Sequence, residues 1–81
     1  MKLFGYLASD SEQHAPFELS EATLQASPEE LREIASFLLH AAETMDRMRE
    51  SFDHMHLSDT LRQYDNSPAF IVAISESAQA G

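Results

Sequence analysis

The stretch SPEELREIASFLLHAAETMDRM, residues 27–48, admits one structural reading, and the rest of the chain has to fit around it. Ser27 can cap a helix, Pro28 suits the first helical position because it has no amide hydrogen to lose, and Glu30 three residues after the cap completes a capping box. Leu31, Ile34, Ala35, Leu38, Ala41, Ala42, Met45 and Met48 recur at the three-and-four spacing that lines one helix face, with Phe37 and Leu39 widening the stripe at its edges. Glu29, Glu30 and Glu33 stand at the positive end of the helix dipole and Arg47 and Arg49 at the negative end. Charge and apolar pattern therefore specify the same amphipathic helix. Leu38 falls at the centre of the stripe, so Leu38→Asp is expected to destroy the fold by burying an unpaired carboxylate.

Eighty-one residues make one domain with a thin core, because a chain of this size buries only about three-fifths to two-thirds of the surface its unfolded form exposes. The expected domain is 1–75, followed by a disordered polar tail over 76–81. No cysteine is present, so metal ligation would fall to His and carboxylates. Fourteen acids against five bases give a net charge of −9, with Lys2 the one lysine. That balance repels nucleic acid and anionic membrane and favours a basic protein partner. The start MKLFGYLASD lacks the pattern of a signal peptide and no apolar run approaches a membrane span, so a cytoplasmic location is expected.

Residues 3–8, LFGYLA, read as a strand, and the polar connection SDSEQHAP over 9–16 leads to a second extended run, FELSEATLQA, over 17–26. The alternation of Phe17 and Leu19 changes phase before Ala22, Leu24 and Ala26, which predicts a bulge near Ser20. The two runs are expected to pair as an antiparallel hairpin. After Met48, Arg49 would fall on the buried stripe, so the helix is expected to fray near residues 50–51. In SFDHMHLSD, His54 and His56 alternate with Met55 and Leu57, which on a short strand puts both imidazoles on one face and both apolar groups on the other. The turn formers of TLRQYDNSP then lead into AFIVAI, residues 69–74, the clearest strand pattern in the chain.

The expected fold class is therefore α+β: a small antiparallel sheet, in the order ββαββ with the third strand the weakest, packed against one long amphipathic helix. Residues 3–8 and 69–74 are apolar on both faces, whereas one helix covers only one side of a sheet. A homodimer is expected, its interface the sheet face or the edge of residues 69–74.

Candidate chemistry is confined to Asp53, His54, His56 and Asp59. A His-x-His pair on a strand presents two nitrogens to one side, which reads first as structural or partner contact, the alternative being a metal held by His54 and His56 with further ligands from elsewhere, such as Asp59, His40 or a second subunit. His14 and His40 read as solvated. No nucleophile elbow, phosphate-binding glycine loop or catalytically spaced carboxylate pair is present, so neither catalysis nor a cofactor is expected.

The pattern LSEATLQASPEELREIASFLLHAAETM, followed by FDHMHLSD and PAFIVAI, resembles the immunity protein 32 family of bacterial polymorphic-toxin systems over residues 17–74. The SPEEL helix opening, the FL at mid-helix, the HxHLxD element and the final apolar strand carry the resemblance, FDHMHLSD most specifically. It implies a non-catalytic protein that neutralises a cognate toxin by binding it, with His54, His56 and Asp59 at the family's signature positions. Acidity adds the expectation of a basic toxin domain, such as a nuclease, blocked by occlusion. A His-based metal-binding or sensory domain and a dimeric scaffold protein are the alternatives.

Overall fold

The computed structural model describes residues 1–9 and 14–75. Strands β1 (Leu3–Gly5) and β2 (Phe17–Leu19) precede the long helix α1 (Pro28–Met48). Then come a 3-10 turn (Arg49–Ser51), strand β3 (His54–His56), the one-turn helix α2 (Leu57–Thr60), a second 3-10 turn (Arg62–Tyr64) and strand β4 (Ile71–Ala73). The α+β class stands, and the four strands flank the long helix in pairs as expected, with the one-turn helix α2 added between β3 and β4. The strands pair as two separate two-stranded antiparallel sheets, β1 with β2 and β3 with β4, where a single sheet was expected. The two pairs are joined through the helix, whose 21 residues stand between them.

The start of α1 follows from its cap. The Ser27 hydroxyl accepts from the Glu30 amide at 3.1 Å, and the Glu30 carboxylate accepts from the Ser27 amide at 2.8 Å, so both residues of the capping box satisfy otherwise unpaired donors. At the other end Arg49 adopts φ 50°, ψ −117°, and its amide donates to the Met45 carbonyl. The α-helix stops there and a 3-10 turn completes the fraying expected near residues 50–51.

The face that α1 buries differs from the expected stripe. Ile34, Phe37 and Ala41 are buried, with Phe37 only 1% exposed, whereas Leu38 is 44% exposed and Leu31, Ala35, Ala42 and Met48 are also exposed. Leu38 is therefore not a core residue, and the expectation that Leu38→Asp destroys the fold is withdrawn. The reason is the narrowness of what packs on the helix. Ile34 and Phe37 form one cluster with Leu57 of α2 and Tyr64 of the second 3-10 turn, against which Met55, Leu61, Phe70 and Val72 pack. That strip covers the line 34–37–41 and leaves the neighbouring line 31–38 open. Phe37 meets Phe70 edge to face, ring centres 6.4 Å apart at 75°.

Among the described residues, the hairpin β1–β2 contributes none to this core. Its register pairs Leu3 with Leu19, Phe4 with Glu18 and Gly5 with Phe17. A Cβ at Gly5 would stand 3.1 Å from Leu19 Cδ1, a tight contact that a shift of a few tenths of an ångström in that side chain would relieve. β2 ends at Leu19 and Ser20 is a bend, so the phase change in the sequence marks the end of pairing rather than a bulge. The expected tail over 76–81 lies outside the described residues.

Candidate partner-binding site

β3 places the histidines. It pairs with β4 with His54 opposite Ala73, Met55 opposite Val72 and His56 opposite Ile71. Met55 turns into the core and Leu57, which opens α2, is buried, so the pleat turns His54 and His56 to the other side. Their rings lie 4.9 Å apart, centre to centre, at 67°. The Asp53 carboxylate bonds His54 Nδ1 at 2.6 Å, with Asp53 almost fully exposed and His54 about half exposed. His56 is half-buried at the start of α2, and Asp59 is exposed within that helix. The Leu57 amide donates to the Phe70 carbonyl at 2.9 Å, which fixes the β3–α2 junction to the segment entering β4.

The structure thus brings Asp53, His54 and His56 together on one surface, with Asp59 on the helix that follows. Among the described residues, no group of three or more His, Asp or Glu side chains converges in a way that could hold a metal ion. An exposed carboxylate–imidazole pair beside a second imidazole offers a partner both donors and acceptors. His14 and His40 are exposed, as expected.

A second feature went unread in the sequence. A groove of about 310 Å³ runs between residues 23–26 and the segment 67–70, floored by Ile34, Leu57 and Tyr64. Glu30 lines it, and its neighbour Glu33 accepts from the Tyr64 hydroxyl at 2.6 Å and from Gln63 Nε2 at 3.1 Å on the same oxygen. The bond to Glu33, burial, and the charges of Glu33, Glu30 and Glu29 push the Tyr64 pKa up from 10.0 to about 12. No signal in TLRQYDNSP marked Tyr64 as a core residue, because its partners stand some thirty positions away on α1.

Among the described residues no charged side chain is buried and no buried side-chain polar atom lacks a partner. Fold and composition together define a small acidic α+β protein. Residues 21–74 match the sequence model of the family described as Immunity protein 32, and the chain belongs to that family. Membership carries an immunity-type binding role in general terms and a protein as partner. No curated protein and no solved structure matches the chain. No helix among the described residues is long and apolar enough to cross a membrane.

Proposed function

We propose that the protein neutralises a cognate toxin by non-catalytic occlusion, covering the toxin's active surface with the acidic face that carries Asp53, His54, His56 and Asp59. The match to the immunity family over residues 21–74 is the observation that carries this reading. Charge supports it: within residues 21–75, ten Asp and Glu stand against four Arg, a net of −6. A basic toxin domain would be drawn to that face and would associate faster at low salt. The protein acts in the cytoplasm, where it meets toxin before harm is done, and its working unit is a homodimer. The dimer is supported by exposed apolar side chains on the hairpin, on the open flank of α1 and at Ile71 of β4.

The test is genetic. Deleting the coding sequence while its upstream neighbour is retained is expected to arrest growth, and supplying the chain in trans is expected to restore it. Unimpaired growth of the deletion strain would overturn the reading.

A further inference from the structure

We infer that two copies of the chain join through the exposed flank of α1, the two helices running antiparallel about a two-fold axis beside Leu39. This rests on the homodimer reading above and gives it a surface.

The apolar stripe of α1 holds two faces, and a single copy uses one of them. Ile34, Phe37 and Ala41 are buried, while Leu31, Ala35, Leu38 and Ala42 stay exposed and Met45 is half-buried. The five residues of this second face follow one another at alternating steps of four and three along the chain. That is the spacing by which a helix keeps one seam against another helix at a shallow crossing angle of about 20°. Leu39, 68% exposed, borders the seam on the side away from the core. The segments outside the description, 10–13 and 76–81, contain no apolar residue larger than Ala, so they bring no large side chain to lay over it.

The seam fits a copy of itself. Antiparallel pairing sets Leu38 against Ala42 of the partner subunit and Ala35 against Met45 of the partner subunit, a large side chain against a small one in each of these layers. Leu39 then lies beside its own symmetry mate. On that side of the seam Arg32 comes to Asp46 of the partner subunit, and symmetry repeats the pair. Both residues are exposed, and neither has an ion-pair partner among the described residues. An unrelated helix would have to reproduce both the size order and the charge order, whereas a second copy has them already.

Charge also selects the direction. Parallel pairing would gather the acidic first turns of both helices, with Glu29 and Glu30, at one end. The antiparallel arrangement sets each beside the last turn that carries Arg47 and opposes the two dipoles. Each copy carries a net charge of −9. That repulsion is screened beyond about 8–10 Å at physiological salt, while the seam acts at contact. β4 offers a weaker surface, since Val72 belongs to the core and Ile71 is its one large exposed side chain.

Sedimentation of the full chain at tens of micromolar, in physiological salt, is expected to give a dimer. Leu38→Asp is expected to sediment as a monomer with an unchanged helical circular dichroism signal. Each copy keeps its own core, and at dilutions where the copies separate Leu38 faces water. Ala42→Lys repeats the test should the aspartate variant misfold. Arg32→Asp is expected to weaken the dimer about tenfold by making both pairs repulsive, and Arg32→Asp combined with Asp46→Arg to restore it. None of these measurements involves a toxin. A monomeric wild-type chain would overturn both the homodimer and this surface. A dimer that persists in Leu38→Asp and Ala42→Lys would overturn the surface and leave the homodimer standing. A dimer that those variants abolish but the charge swap does not restore would overturn the antiparallel arrangement.

Discussion

The Tyr64 hydroxyl donates to the Glu33 carboxylate over 2.6 Å, across 31 positions of sequence, and this bond locks the second 3-10 turn against the first half of the long helix. Gln63 donates to the same oxygen, so one carboxylate of α1 orients two consecutive residues of the turn. The ring below the hydroxyl closes the core beside Ile34 and Leu57. Helix and turn are thereby held in one register by a polar bond at the rim and apolar packing beneath it.

That bond predicts a pH dependence. The folded-state pKa of Tyr64 lies above its ordinary value, so the native state keeps the proton longer than the unfolded chain does. The contribution is full below pH 10.0 and is lost as the pH climbs to about 12. Urea midpoints for wild type should therefore fall across that window, and the fall should be shallower in Tyr64→Phe. An identical slope in the two proteins would show that the bond does not form.

Two adjacent helix positions should respond in opposite ways. Phe37→Ala empties the centre of the core and is expected to cost about 3–5 kcal/mol, a large part of the stability of a domain this small. Leu38→Asp touches water, and is expected to stay within about 1 kcal/mol of wild type, most of it helix propensity. Chemical denaturation of both variants decides the helix rotation: a Leu38→Asp protein that fails to fold would restore the face read from the sequence.

The backbone at Arg49 stores strain. With φ 50° and ψ −117° it occupies a region that side chains disfavour and glycine enters freely. Arg49→Gly should stabilise the protein by about 1 kcal/mol, the lower end of what such conformations cost. Thermal melting would register this as a rise in Tm, and a fall would mean that the Arg49 side chain contributes more than its backbone loses.

Replacing His54 and His56 together with Ala should leave the melting temperature nearly unchanged, because both imidazoles point away from the core that Met55 and Leu57 enter. Affinity for the toxin should fall about tenfold or more if the pair is a centre of binding energy. Calorimetric titration against the purified toxin domain measures this, and unchanged affinity would move the contact to another part of the acidic surface.

Local signals were legible because they depend on residues a few positions apart. Ser27 and Glu30 specify the cap, and the alternation of His54, Met55, His56 and Leu57 specifies which side chains share a face. The rotation of α1 was not legible, since Phe37 and Leu38 are both apolar and only the width of the strip packed on the helix decides between them. The split into two sheets has a similar origin: strand patterns identify β1 and β4, but nothing in them states that 21 helical residues will keep the pairs apart. The groove was hidden for the same reason, its two walls being some forty positions apart in the chain.

Among the described residues, six apolar side chains are buried: Ile34, Phe37, Ala41, Phe52, Leu57 and Tyr64. Architecture therefore constrains few positions closely, and most of the surface is free to vary without threatening the fold. Under the occlusion proposed above, this is an evolutionary latitude: substitutions on the acidic face could follow each alteration in a toxin while the same six side chains go on holding helix and turns together.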